Sequence, residues 1–483
     1  MAGGDVHHSS LRSGRLLRRV SGALVVLVLV AAGLAHSFDL GPRWLGWDHP
    51  SPVNEPSEVA PPPGLTLPEP SPAALVADPS PMPAADPVKV RRALARALRD
   101  NDLGRRVAVS VSQLSDGTPL FEAGPDLVTP ASTLKLLTAT AALEVLGPEH
   151  TFRTTVVAGE TPRRVVLVGG GDPLLARTPD GDAYPPRADI VTLAKATARS
   201  LKRRGLTRVR LGYDTSLFSG PAVSPAWRPS YVPDNVVTPI SPLWVDQGRE
   251  RTGMVSRDED PAFGAALALV RVLERQGIEV RGRPAPAVAP VDAVEHAAVT
   301  SAPLAQIVQW TLEVSDNEAA EVLLRHVAIA QERPGSFSGG AAAVVDVLAE
   351  LGVDTSGARI LDGSGLARGN RLAPDTLLDV IALAAGDEHP ELRPVVTTLP
   401  VAGFTGSLTY RFATDDDDGL GRVRAKTGTL TGVHGLAGVV TDRDGTVLSF
   451  VAIADRVRPS KSLDAREAVD DIAAALAACS CAA

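Results

Sequence analysis

The sequence predicts an α+β protein in which the two ends of the chain form one antiparallel sheet faced by helices. Near its start the folded part has the pattern of a helix followed by two strands, and near its end that of two strands followed by a helix. Apolar residues alternate in the strand segments and recur every three to four positions in the helical ones. Residues 151–298 have a different sequence pattern, with short predicted strands and a glycine-rich turn. This difference indicates an insertion.

The first elements follow from local patterns. Apolar residues at helical spacing predict a helix over residues 88–100. Alternation predicts a strand over residues 106–114, and a Ser-Asp-Gly hairpin turn leads from it to a second strand over residues 118–123. A helix over residues 132–146 is predicted between a proline and a Gly-Pro pair.

The later elements are predicted by the same patterns. They are helices over residues 188–204, 300–330 and 462–478, and strands over residues 164–168, 432–440 and 447–454. His434, inside one of these strands, is predicted to face solvent.

Residues 1–40 are predicted to be a targeting segment. Four arginines precede an apolar run over residues 20–35, which is the pattern of a secretory signal. The run is shorter than the roughly 20 residues that span a bilayer, but residues 37–40 could extend it. A cleaved signal peptide and an uncleaved membrane anchor therefore remain alternatives, and both place the rest of the chain outside the cytoplasm.

The remaining domain boundaries follow from composition. Residues 41–87 are predicted to be a Pro-rich linker, because thirteen of the residues 50–87 are proline. A catalytic domain is predicted from two pieces, residues 88–150 and 299–483. Residues 151–298 are predicted to be an inserted region of one or two β-rich domains.

Charge and cysteine usage exclude several classes of protein. The net charge is −8, with no basic face for nucleic acid. The two cysteines, Cys479 and Cys481, are too few for a disulfide-built fold or a cysteine zinc site, and form either a local disulfide or a free tail. There is no H-E-x-x-H motif, and we expect neither a metal nor another cofactor. The sequence gives no indication of oligomeric state.

Three short motifs occur once each and in a fixed order. They are S-x-x-K from Ser132 to Lys135, S-x-N from Ser315 to Asn317, and Lys426-Thr427-Gly428. Only six of the 48 basic residues are lysine, so motifs that require lysine seldom arise by chance here. The ordered set is strong evidence for an active-site serine.

The spacing of these residues suggests their chemistry. Positions i and i+3 of a helix share a face, so the Lys135 amine can take the proton of the Ser132 hydroxyl. Ser315 can pass that proton to a leaving amine, and Asn317 can hold Lys135 and a substrate amide. Two ammonium groups in one cleft repel, and Lys135 on the buried helix is expected to lose its proton before Lys426.

The third motif is predicted to bind substrate. Lys426 and Thr427 can bind a substrate carboxylate, and Gly428 lets backbone and substrate approach closely. The backbone amides of Ser132 and Thr429 are candidate oxyanion-hole donors.

The chain resembles the class C low-molecular-mass penicillin-binding proteins, the D-alanyl-D-alanine carboxypeptidase/endopeptidases of the S13 peptidase family. Ser132 and Ser315 are 183 positions apart, which matches the long insertion typical of that family. Further matching stretches lie at residues 167–173, 214–218, 362–366 and 372–374. The resemblance covers roughly residues 90–478 and implies a five-stranded antiparallel sheet with a helical subdomain and inserted β-rich domains.

The resemblance also implies a function. It is a serine DD-carboxypeptidase, with DD-endopeptidase as a further activity, that acts on peptidoglycan peptides through an acyl-enzyme and binds β-lactams in the bacterial envelope. Residues 226–234 stand where the family has an aromatic-rich stretch that helps to recognise the donor peptide. One alternative is a serine β-lactamase-like hydrolase, although no glutamate base placed as in class A is recognisable. The other is a catalytically silent peptidoglycan-binding envelope protein.

Overall fold

The computed structural model describes residues 83–412 and 418–483. The predicted signal or anchor over residues 1–40 and most of the predicted linker over residues 41–87 lie outside the described residues. Within the described ranges, no helix combines the length and the apolar character needed to cross a membrane.

The elements of the described residues are numbered in chain order. The strands are β1 (Val107–Gln113), β2 (Pro119–Ala123), β3 (Arg153–Ala158), β4 (Arg164–Val168), β5 (Arg208–Asp214), β6 (Glu279–Val280), β7 (Ala285–Pro286), β8 (Glu295–Thr300), β9 (Val423–Leu430), β10 (Val433–Thr441) and β11 (Val447–Ala454). The helices are α1 (Pro87–Ala97), α2 (Lys135–Leu146), α3 (Ile190–Arg203), α4 (Pro261–Arg275), α5 (Leu304–Glu313), α6 (Asn317–Ala330), α7 (Phe337–Glu350), α8 (Pro374–Ala385), α9 (Pro394–Thr397) and α10 (Ser462–Ala477).

Strands from the two ends of the chain form one five-stranded sheet. Its order is β2–β1–β11–β10–β9, and every neighbouring pair is antiparallel. Val451 of β11 lies opposite Ser110 of β1 on one side and Ala437 of β10 on the other. The centre of the sheet is therefore built from segments that are far apart in sequence.

The residues of β11 alternate between two hydrophobic cores. Phe450 and Ala452 belong to the core on the side of α1 and α10, which also contains Leu94 and Ile472. Val451 belongs to the core on the opposite side, which is shared with α2 and α5 to α8. Because successive side chains of a strand point to opposite faces, the sheet is buried on both sides.

Helix α2 lies in the middle of the second core. Its residues 135–143 are all buried, and α5, α6, α7 and α8 pack around it. A helix that is apolar on all sides belongs in the interior of a large domain. Lys135, the first residue of this helix, is therefore buried in the core.

Residues 153–300 form a second sheet with a core of its own. Its order is β6–β5–β4–β3–β8, with β7 also paired to β5. Strand β3 is antiparallel to β4 and β8, whereas β5 is parallel to β4, β6 and β7. Side chains from α3 and α4 complete the core. Arg153 in the entry strand lies opposite Thr300 in the exit strand, so this part of the chain leaves the helical layer and returns to it at one place.

The two ends of the folded part are tied together. Ala85 forms a β-bridge with Ala482, and the Asp86 amide donates to the Cys481 carbonyl at 2.8 Å. Cys479 and Cys481 form a disulfide. Backbone pairing thus begins a few residues before the predicted start of the catalytic domain.

Most predicted elements match observed ones to within about three residues. The predicted helical stretch over residues 300–330 consists of two helices, α5 and α6, with a break between them. Ser315 in this break has φ = 59°, a left-handed conformation that ends the first helix and redirects the chain into the second.

Candidate active site

Ser132 lies in a short 3-10 turn, Ala131–Leu134, that leads directly into α2. Ala131 has φ = 48°, a conformation that residues other than glycine seldom adopt. The backbone of Gly365 presses against this turn: a Cβ at that position would lie 1.9 Å from the Ala131 carbonyl oxygen. The half-buried Ser132 therefore lies on a turn whose backbone conformation is fixed by packing against Gly365.

Lys135 is the next member of the site, and its ammonium has three acceptors. Its Nζ donates to Ser132 Oγ at 2.9 Å, to Asn317 Oδ1 at 2.9 Å and to the Ser364 carbonyl at 2.8 Å. Side chains at i and i+3 eclipse in a 3-10 turn, which brings the lysine directly under the serine. Three well-separated segments thus converge on one nitrogen atom.

The second motif occupies the break between α5 and α6. Asp316 caps α6: its Oδ1 accepts from the Ala319 amide at 2.9 Å, and its Oδ2 from Trp310 Nε1 at 3.0 Å. These bonds fix Asp316, and the next residue, Asn317, accepts the hydrogen bond from Lys135. Ser315 and Asn317 both line a cavity of about 390 Å³.

The third motif lies on β9, at the edge of the five-stranded sheet. A Cβ on Gly428 would lie 2.8 Å from the Pro130 carbonyl oxygen, so glycine allows the strand to pass beside the serine turn. Thr427 Oγ1 donates to Ser407 Oγ at 2.9 Å. Lys426 Nζ donates to the Thr427 carbonyl at 3.0 Å.

The end of β9 carries the last predicted site residue. Thr429 is exposed and lies opposite His434 in the register of β10. The prediction that His434 faces solvent was wrong. Its side chain is buried, with Nε2 at 2.9 Å from Ser462 Oγ in α10, because that helix covers this part of the strand.

The two lysines of the site have different electrostatic surroundings. Burial lowers the pKa of Lys135 to about 8, and nearby carboxylates, Glu321 foremost, oppose the shift. Burial also lowers the pKa of Lys426 well below its usual value, and the positive charges of Lys135 and Arg411 lower it further. Both lysines are 0% exposed. The expectation that greater burial would single out Lys135 was therefore wrong, and it is the neighbouring charges that differ.

The sequence as a whole matches the D-Ala-D-Ala carboxypeptidase 3 (S13) family over residues 90–260 and 250–476. These ranges include all three motifs and most of the chain. The protein belongs to the S13 family.

Individual relatives agree with this S13 assignment. The carboxypeptidase DacB of Mycolicibacterium smegmatis is 39% identical over 427 residues, which cover 85% of this chain and 90% of that protein. The D-alanyl-D-alanine carboxypeptidase of an Actinomadura species is 30% identical over 70% of this chain and 75% of its own length. The crystal structure of penicillin binding protein 4 (dacB) from Haemophilus influenzae shares the fold, with a TM-score of 0.64 at 22% identity over 80% of this chain and 98% of that one. The same H. influenzae protein has been solved in complex with a β-lactam, at a TM-score of 0.59. The predicted fold class is confirmed.

Two buried acids of this S13 protein are close to the site but were not predicted as part of it. Asp362 accepts from Trp227 Nε1 at 2.8 Å, the Ala367 amide at 2.6 Å and Asn370 Nδ2 at 2.8 Å. Glu321 accepts from the amides of the two residues that follow Asp362. A sequence signal for Glu321 existed, since it lies four positions after the motif asparagine and hence on the same helical face.

Trp227 comes from the stretch that the resemblance associates with donor-peptide recognition. It is 6% exposed, and its indole donates to Asp362. This tryptophan is therefore buried and bonded to the segment that follows α7.

One group of side chains in the described ranges has the composition of a metal site. Glu144, His389 and Glu391 are half-buried, with ligand atoms within 4.8 Å of one another. His389 Nδ1 lies 3.0 Å from Glu391 Oε1, so this pair is already satisfied. Glu144 is nine residues along α2 from Lys135, about 13 Å, and is outside the site described above.

Proposed function

We propose that this protein is a serine-type D-alanyl-D-alanine carboxypeptidase that hydrolyses peptidoglycan stem peptides and binds β-lactams. The observation that carries the proposal is the position of Lys135 Nζ, 2.9 Å from both Ser132 Oγ and Asn317 Oδ1. A hydroxyl becomes a useful nucleophile only beside a base that can take its proton. S13 membership supplies the reaction class to which this geometry belongs.

Acylation is proposed to begin when Lys135 is neutral. Ser132 Oγ attacks the carbonyl carbon of the penultimate D-Ala, and its proton passes to the Lys135 amine. The tetrahedral intermediate collapses when the amine of the terminal D-Ala leaves with a proton. Ser315, which lines a cavity together with Asn317, is proposed to deliver that proton through its hydroxyl.

The other residues bind the substrate. Lys426 and Thr427 are proposed to bind the carboxylate of the terminal D-Ala, because a hydroxyl and an amine that the bound carboxylate would keep protonated are adjacent on an edge strand. The amides of Ser132 and Thr429 are proposed to stabilise the oxyanion. The free donors of the Asn317 amide are assigned to a substrate carbonyl, because its oxygen already accepts from Lys135.

Deacylation returns the enzyme to its starting state. Water adds to the ester, the bond to Ser132 Oγ breaks, and the shortened peptide leaves as a carboxylic acid. A β-lactam would acylate the same oxygen but keep its leaving amine tethered, so the ester would persist.

Defined muropeptides test the reaction. We expect loss of one D-Ala from a pentapeptide, detected by mass spectrometry. Conversion of cross-linked dimers to monomers would add DD-endopeptidase activity. A protein that binds neither substrate nor fluorescent penicillin covalently would be a silent peptidoglycan-binding protein, and rapid turnover of penicillin would make it a β-lactamase.

The same proposal covers location and domain division. Peptidoglycan lies outside the cytoplasmic membrane, so the N-terminal segment is proposed to export the chain as a signal or to anchor it. The catalytic domain is proposed to comprise residues 83–150 and 299–483, with residues 151–298 inserted.

A further inference from the structure

Glu321 is a fully buried carboxylate on α6 that the mechanism above does not use. Its Oε2 accepts from the Gly363 amide and its Oε1 from the Ser364 amide, each at 2.9 Å. Burial and the charge of Asp362 raise the pKa of Glu321 to about 8, and the two amide donors oppose this shift because they favour the ionised form. A protonated carboxyl would place its hydroxyl against one of the amides.

The segment that Glu321 holds is in direct contact with the catalytic lysine. The Ser364 carbonyl is one of the three acceptors of Lys135 Nζ, at 2.8 Å. One residue thus donates its amide to Glu321 and offers its carbonyl to Lys135. The same segment contains Gly365, whose backbone presses on the turn that carries Ser132.

Charged groups from several packed elements act on Lys135 and Glu321. Lys135 is influenced by the carboxylates of Glu321, Asp316, Asp362 and Glu318, and it acts in turn on Lys426. Glu321 is itself influenced by Asp362 and acts on Arg325. A buried ammonium requires a compensating charge, and among these acids Glu321 has the largest influence on Lys135.

We propose that Glu321 is a positioning residue for the catalytic lysine: it fixes the Ser364 carbonyl that holds Lys135 Nζ, and it is the counter-ion of the ammonium. This inference rests on the proposed function. Glu321 does not touch the reacting atoms. It determines where the lysine amine lies and how readily that amine gives up a proton.

Removal of the Glu321 charge should change both the pH dependence and the maximal rate of acylation. Glu321→Gln removes the carboxylate and leaves one of the two amides without an acceptor. Without the counter-ion Lys135 deprotonates at a lower pH, so the rise of acylation rate with pH should move down by about one pH unit. The maximal rate should fall about tenfold or more, because the lysine is less well held.

Two matched variants separate position from charge. Glu321→Asp keeps the charge but cannot reach both amides, so it should keep the wild-type midpoint and lose rate. Glu318→Gln removes another buried carboxylate of α6, one that pairs with Arg257 at 2.9 Å and makes no bond to the Ser364 segment. It should destabilise the protein and shift the midpoint much less than Glu321→Gln.

The measurement is the rate of acylation by a fluorescent penicillin between pH 5.5 and 10, with thermal unfolding of each variant. Wild-type rate and midpoint in Glu321→Gln would overturn the inference, as would equal shifts in Glu321→Gln and Glu318→Gln. If Glu321→Gln does not fold, a normal rate in Glu321→Asp overturns it. If neither Glu321 variant folds while Glu318→Gln does, Glu321 is purely structural. A wild-type protein that is not labelled would instead refute the proposed function.

Discussion

At the scale of single residues, Ser132, the proposed nucleophile, differs from its neighbours in being both half-exposed and hydrogen-bonded to a buried amine. We expect Ser132→Ala to abolish covalent labelling by penicillin and to leave thermal unfolding nearly unchanged, since one hydroxyl is removed from a preformed turn. Mass spectrometry of the treated protein is the measurement. An adduct that persists on the variant would show that another residue is the nucleophile.

The proton on Lys135 governs reactivity in this mechanism. Only the neutral amine accepts a proton, so with a pKa of about 8 the acylation rate should rise as the pH increases from about 7 to 9. Lys135→Arg keeps a positive charge but cannot deprotonate, and it should lose acylation about a thousandfold. Lys426→Arg should mainly weaken substrate capture. Acylation rates of both variants across this pH range are the test, and a near-normal rate in Lys135→Arg would contradict the role of Lys135.

Lys426 leads to a separate prediction about binding. Its pKa is lowered by burial and by two neighbouring cations, and a bound carboxylate would raise it again. Binding of an acyl-D-Ala-D-Ala peptide to the Ser132→Ala variant should therefore take up protons. Calorimetry in buffers of different ionisation enthalpy measures the uptake. The peptide amide is the control, and equal uptake with peptide and amide would rule out Lys426 as the source.

At the scale of elements, the site depends on how closely the 362–365 segment approaches the serine turn. Gly365 has φ = 84°, and a Cβ there meets the Ala131 carbonyl. Gly365→Ala should cost about 3 kcal/mol or more of unfolding free energy, from backbone strain plus overpacking, and should slow acylation. Gly445 in the β10–β11 turn has φ = 85° with open space around it. Gly445→Ala should therefore cost only about 1 kcal/mol. Denaturant unfolding compares the two variants, and equal losses would mean that the close approach adds nothing.

The elements could be predicted from sequence where local patterns decide them. The i, i+3 spacing of Ser132 and Lys135 placed the two side chains together, although the residues form a 3-10 turn rather than the helix that was expected. The break at Ser315 could not be predicted, because a left-handed serine has no local sequence signal. The buried state of Lys426 likewise depends on segments that are distant in sequence.

At the scale of the whole molecule, the start of the folded part is defined by backbone contacts. Ala85 bonds to Gln113 and bridges to Ala482, and Asp86 caps α1. We expect a protein lacking residues 1–82 to be soluble and active. One lacking residues 1–87 should unfold several degrees lower, because it loses these contacts. Thermal melts and penicillin labelling of both truncations are the measurements, and equal melting temperatures would show that residues 83–87 contribute nothing.

The order in which the strands leave the ribosome has a consequence for how this enzyme matures. Strand β1 is synthesised early, yet one of its two neighbours in the sheet is β11, more than 300 residues later. The sheet cannot be completed until β11 has been synthesised, and until then the chain is only partly folded. The acceptors of Lys135 on Asn317 and Ser364 also emerge long after the lysine itself. A nascent chain should therefore remain unreactive toward penicillin until the last strand is available. Ribosome-bound chains that end before residue 447 should not be labelled by fluorescent penicillin, whereas released full-length chains should.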